Sequence, residues 1–404
     1  MSAPASTSSL RGGAVVLACA SVVLALSLGI RHSFGLFLQP VTMAGGWERD
    51  VFALAIALQN LVWGAAQPFA GLIADRLGSG KVIAGGTVLY VLGLAVMALP
   101  GADQTLFVFG AGLLVGLGLS GTTYPLVLGA VSRAVPAEKR SLAMGLAMGG
   151  AAFGQFIMLP AALTGIGALG WSGALVALAL LATTMLPLAL GLRDRQTGRA
   201  ATAPRLGAGI AEALRHRGFQ LLAAGFFVCG FQVVFIATHL PAFLADKGMA
   251  PEVGSTVLAL IGLFNIAGTY YAGLWGSRHS KPRLLSGLYL ARAVAIAAFA
   301  FLPISEGSAY AFGVVLGLFW LSTVPLTNGT IASLFGVANM ATLGGVVFFA
   351  HQLGAFLGGW LGGTVYTAFG SYELAWAVAV GLSLIAALLN VPIRERAVAA
   401  GAVA

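Results

Sequence analysis

Five side chains that can carry positive charge sit inside long apolar runs. They are Arg31 and His32 in GIRHSFGLFLQP, His239 in FIATHLPAFL, Arg292 in the run from 283 to 303, and His351 in VVFFAHQLGAFLGGW. A charge at the centre of a bilayer costs at least ~2.5–3.5 kcal/mol, so each needs water, a partner or a ligand. All 12 acidic residues fall at the ends of apolar runs or between them. A bound anion is then the natural counter-charge for the cations. Arginine can grip a carboxylate or sulfonate with two parallel hydrogen bonds, and histidine can bond such a group or titrate with it near neutral pH. Neighbours on a helix point about 100° apart, so only one of Arg31 and His32 faces a cavity squarely.

Uncharged groups at similar depth add candidates for a solute site: Gln59, Asn60, Tyr124, Gln155, Asn265, Thr269, Asn328 and Gln352. Asn265 and Thr269 are one turn apart and share a face. Phe34, about a turn from Arg31, could stack on an organic solute. Each residue also has a plainer reading. Arg31 could snorkel towards an interface, and buried amides, hydroxyls and His351 could join helices by hydrogen bonds. Arg292 could pack against carbonyls of a neighbouring helix. His239 could serve as a gate, or make a structural bond ahead of a kink at Pro241.

The elements that must position these groups follow from composition. The chain of 404 residues is 59% hydrophobic and 8% charged, against about 25% charged in an ordinary soluble domain. The bilayer is its main solvent, and at such depth only helices satisfy the backbone. Twelve runs are long enough to span: 14–40, 51–74, 82–100, 105–132, 140–166, 171–192, 218–244, 253–276, 283–303, 308–335, 340–368 and 373–393. The net charge of +9 is no nucleic-acid footprint, because the basic residues cluster in short loops. All 21 Lys and Arg except Arg31, Arg49, Lys247 and Arg292 fall on one side of the twelve runs. That asymmetry places both termini in the cytoplasm. The first run is a retained helix and not a cleaved signal.

The expected organisation is a tail over 1–13, a six-helix bundle over 14–192, a cytoplasmic linker over 193–217, a second bundle over 218–393 and a tail over 394–404. The linker should hold a short amphipathic helix near 207–217. The halves echo one another. Gly71, Leu72, Arg76 and Lys81 pair with Gly273, Leu274, Arg278 and Arg283, Gly29 and Pro40 with Gly230 and Pro241, and Pro125 with Pro325. The separations are nearly constant, the mark of a duplicated unit and of a rocking carrier. Glycines 354, 358 and 362 should form a small-residue packing stripe. Cys19 and Cys229 lie far apart in apolar runs and set up neither a disulfide framework nor a metal site.

GLIADRLGSGK, residues 71–81, carries a family resemblance: it is similar to the loop signature of the major facilitator superfamily, Gly-x-x-x-Asp-Arg-x-Gly-x-x-basic. The resemblance implies an all-α fold of twelve helices in two bundles, with helices 1 and 11 lining a central cavity. It also implies a conformational lock in which Gly71 allows close packing while Asp75, Arg76 and Lys81 engage helix ends, lipid headgroups or charged partners. Residues 116–160, with a glycine-rich helix, a proline, a basic turn and a second glycine-rich helix, resemble the monocarboxylate and oxalate/formate porter group. That group implies transport of small organic anions by proton symport or by exchange; the expected protein is a multi-pass monomer of the inner membrane without cofactor. Its usual acidic-then-basic pair in helix 8 is replaced here by Asn265 and Thr269. An exporter of larger amphipathic or aromatic compounds is the competing reading. A membrane enzyme would need paired catalytic groups or a metal cluster, and neither pattern occurs.

Overall fold

A computed structural model describes residues 7–99, 101, 103–136, 140–193, 206–336 and 340–395. Among the described residues every regular element is helical. Eleven helical stretches among the described residues are long and apolar enough to cross a membrane. Twelve were expected, and the difference lies in one place. The expected fifth and sixth helices join in a single stretch, Ala143–Gly191, broken at Gly170 with φ 71° and ψ 169°. Glycine takes that conformation without a Cβ clash, and Gly165 lies against Ala174 across the bend. The two helices therefore form a hairpin with almost no loop.

The chain divides into two compact units. Unit 1 holds residues 1–47 and 62–201, and unit 2 holds 48–61 and 202–404. The stretch 48–61, expected in the first bundle, thus groups with unit 2.

In unit 1, α1 (Thr7–His32) runs through a 3-10 turn, Ser33–Phe37, into α2 (Leu38–Gly45). The helix α3 (Arg49–Leu77) is shared, with residues from 62 onwards in unit 1. Then come α4 (Ser79–Met97), α5 (Gln104–Val108), a π-turn at Phe109–Leu114, α6 (Val115–Thr122), α7 (Tyr124–Ala134), α8 (Arg140–Thr183) and α9 (Met185–Gly191). The core seam is α1 on α8. Gly29 faces the Gly154 backbone, Gly154 faces Ala25 and Gly150 faces Ser21. A methyl group at any of the three would strike backbone, so these small residues set how closely the helices approach.

Unit 2 contains α10 (Leu206–Arg215), α11 (Arg217–Asp246), α12 (Pro251–Gly276), α13 (Lys281–Phe301), α14 (Glu306–Phe319), α15 (Thr323–Phe335), α16 (Met340–Phe369) and α17 (Glu373–Asn390). The short helix expected in the linker is α10. Its main seam repeats that of unit 1. Gly230 of α11 faces the His351 carbonyl, while Gly354 and Gly358 of α16 face the carbonyls of Phe227 and Phe231. The expected glycine stripe thus packs backbone on backbone. Gly362 is different and meets the His239 ring. Aromatic side chains fill the core at one end, where Phe299 stacks on Phe312 at 4.0 Å and Trp376 meets Phe235, Phe243 and Phe299 edge-on or tilted.

Candidate functional site

Unit 1 places Arg31 where α1 gives way to the 3-10 turn. The side chain is only 7% exposed. Cations are favoured at a helix C-terminus, where backbone carbonyls converge. Its guanidinium carbon lies 5.4 Å from the Trp63 ring centroid, within the range of a cation–π contact. Trp63 is itself fixed, since its Nε1 donates to Thr123 Oγ1 and to Gln67 Oε1, both at 3.0 Å. Gln67 Nε2 in turn donates to the Ser120 carbonyl at 3.1 Å.

These bonds converge on a break in the span 104–134. Thr123 is extended, with φ −112° and ψ −172°, and α7 restarts at Tyr124 with Pro125 in its first turn. Proline at the start of a helix loses no hydrogen bond. Opposite the break, Ser27 Oγ and Thr122 Oγ1 are 2.7 Å apart, and Tyr90 Oη donates to the Ser27 carbonyl. Tyr124, at the restart, is half-buried. Phe34 is buried in the 3-10 turn, and Gln155 is buried on α8. His32 differs from its neighbour: its Nδ1 lies 2.6 Å from the Leu28 carbonyl, one turn back on its own helix.

Unit 2 has a matching break between α14 and α15, over Trp320–Ser322. Here a cation does the holding. Arg292 is fully buried; its Nη2 donates to the Trp320 carbonyl at 2.5 Å and its Nη1 to Gln232 Oε1 at 3.3 Å. Gln232 Nε2 then donates to the Ala379 carbonyl and to Ser383 Oγ. Asn265 Oδ1 accepts from the Leu321 amide at 2.9 Å and from Thr269 Oγ1 at 3.2 Å. Cys229 Sγ lies 3.2 Å from Thr323 Oγ1. Arg292 and Asn265 thus bond backbone groups at the break, and Thr269 bonds the Asn265 side chain.

His351 is 9% exposed, stacked on Phe348 and tilted against Phe226, with Nδ1 3.3 Å from Gln352 Oε1. Asn328 is half-buried on α15. Gln59 and Asn60 are fully buried, and Asn60 Nδ2 donates to the Ile56 carbonyl. His239 bonds the Gly359 carbonyl and the Tyr372 hydroxyl. Burial raises the Tyr372 phenol above its ordinary value, against the pull of the Arg49 guanidinium beside it.

The residues expected to form the lock lie at the end of α3 and the start of α4. A Cβ on Gly71 would meet nothing within 4 Å, so this glycine makes no close helix contact. Arg76 and Lys81 are exposed. The Asp75 side chain lies outside the described residues. Sequence reasoning missed Trp63, Gln67, Gln232 and Ser383, which hold or brace the two breaks. The one visible signal was the proline after each break.

The sequence profile described as Major Facilitator Superfamily matches residues 13–359. Monocarboxylate transporter 11 of Mus musculus is 29% identical over 387 residues, covering 91% of this chain and 84% of its own. The oxalate:formate antiporter of Oxalobacter formigenes is 22% identical over 377 residues, covering 92% and 88%. Among solved structures, a bacterial homolog of the human lysosomal transporter Spinster superposes with a TM-score of 0.76 at 16% identity, covering 96% of this chain and 97% of its own. That last likeness concerns the fold alone.

Proposed function

The chain belongs to the major facilitator superfamily, and on that premise we propose that it is a secondary carrier for a small, monocarboxylate-like organic anion. It works by alternating access, with proton symport or anion exchange, in the inner membrane with both termini cytoplasmic. Arg31 carries this reading. It is a buried guanidinium inside the first span, laid against the face of Trp63, and it meets the anion's carboxylate with two hydrogen bonds. The relatives named for monocarboxylate and for oxalate and formate support the same cargo class.

Phe34, Tyr124, Gln155, Asn328, His351 and Gln352 are the further solute-contacting residues of this reading. Arg292 and Asn265 hold the break in unit 2 through Trp320 and Leu321. Arg76 and Lys81, with Asp75, act as a lock on the cytoplasmic side in one conformation. The carrier works as a monomer.

The test begins with a thermal-shift panel of organic acids on purified protein. Uptake of the acids that bind is then measured in proteoliposomes with and without a pH gradient. Arg31→Ala should leave a folded protein that no longer transports the anion. A folded Arg31→Ala variant with normal uptake would overturn the anchor assignment.

A further inference from the structure

One end of unit 2 joins the start of α3 to the end of α11. Arg49 Nη1 and Nη2 each donate to a different oxygen of Asp246, both at 2.7 Å. The same guanidinium lies 3.7 Å over the Tyr366 ring, and Nη1 also donates to Tyr372 Oη at 3.1 Å. Behind the phenol, 3.3 Å from Oη, is Nδ1 of His239, a ring 1% exposed. Its other nitrogen, Nε2, lies 2.8 Å from the Gly359 carbonyl. A carbonyl only accepts, so Nε2 carries the ring's proton. In the neutral ring Nδ1 is then an acceptor, and the Tyr372 hydroxyl donates to it. The run from Arg49 through Tyr372 and His239 to Gly359 is therefore fully paired with the neutral imidazole.

We propose that His239 is a proton-binding site of this carrier, and that proton binding there unfastens Arg49 from Asp246 and loosens the stretch 48–61 from the rest of unit 2. A second proton can enter the ring only at Nδ1. Nδ1 then becomes a donor, and two donors, Arg49 Nη1 and His239 Nδ1, converge on Tyr372 Oη. The phenol's own hydrogen loses its acceptor. A second positive charge also joins the network that holds Arg49, in surroundings where charge is poorly screened.

The ionisable groups around the ring come from each packed element: Arg49 from α3, Tyr366 from α16, Tyr372 from the turn before α17, and Asp246 from the end of α11 itself. Arg49 already takes both oxygens of Asp246. The conflict is relieved by displacing Arg49. Other contacts of 48–61 include Gly363 against Ala53 and the Arg49 carbonyl, and Gly359 against Ala57. A proton does not alter those. The proposal rests on the carrier reading of the fold, not on the identity of the cargo, so its failure leaves the anion assignment untouched.

Hydrogen exchange by mass spectrometry tests it, on the full chain in lipid nanodiscs at about pH 8 and about pH 5.5, with rates corrected for intrinsic chemistry. In the wild type, peptides from 48–61 should exchange roughly fivefold faster or more at the acid pH. His239→Gln keeps a donor for Gly359 and an acceptor for Tyr372 but cannot take the proton, and should exchange equally at both. Tyr372→Phe severs the relay and should also lose the acid response. Asp246→Asn should loosen the stretch at both pH values, which establishes that release is detectable. An unchanged wild type beside a loosened Asp246→Asn variant would overturn the proposal. So would an acid response that survives in His239→Gln or Tyr372→Phe.

Discussion

The two broken spans, one in each unit, are duplicates in sequence and opposites in chemistry. A threonine with a proline two residues on marks each, Thr123 within the break of unit 1 and Thr323 opening the helix after the break of unit 2. In unit 1 neutral donors hold the break: the Trp63 indole reaches Thr123, and the Gln67 amide reaches Ser120. In unit 2 a guanidinium does so, with Arg292 on the Trp320 carbonyl and Asn265 on the Leu321 amide. The first arrangement leaves Arg31 lying across an aromatic face, while the second commits Arg292 to the backbone. Two buried arginines therefore meet different partners.

The contrast can be broken most forcefully at Arg292. Arg292→Ala strands a buried carbonyl and Gln232 and opens a cavity, at about 3–5 kcal/mol. The expected outcome is loss of folded, monodisperse protein in detergent, measured by size-exclusion yield and Tm. If Arg292→Ala folds normally and instead abolishes transport, the two arginines have the same duty and the contrast fails. Arg31→Lys sharpens the other side. Lysine keeps the charge but loses the planar fork, so anion uptake should fall roughly tenfold, about 1.4 kcal/mol, with Tm nearly unchanged. Asn265→Ala removes the acceptor for Leu321 and should lower stability by about 1–3 kcal/mol, read as a drop in Tm. The mildest test is Trp63→Phe. It keeps a ring beneath Arg31 while deleting the donor to Thr123, so a loss of about 0.5–1.5 kcal/mol in stability should accompany uptake close to wild type.

Much of this architecture was legible before any coordinates. The spans followed from hydropathy, and the packing stripe on α16 from glycines at helical spacing. The shared face of Asn265 and Thr269 was legible too, since Thr269 Oγ1 does bond Asn265 Oδ1. Local periodicity carries such information because it concerns residues a turn or two apart. The duty of each cation was not legible, because it depends on partners far along the chain. Arg292 is read through Gln232 and Trp320, and Arg49 through Asp246 and Tyr372. Helix ends were obscured for a related reason: the bend at Gly170 needs only one glycine, so no polar loop marks it.

The seam between α11 and α16 has a practical consequence. Where carbonyls rest against glycines at Gly230, Gly354 and Gly358, the two backbones touch and leave no room for a larger side chain. The two should behave as one rigid strut through every stage of turnover. A pair of spectroscopic labels, one on each, would report a constant separation, and so provide an internal yardstick against which any other distance change in the protein can be judged.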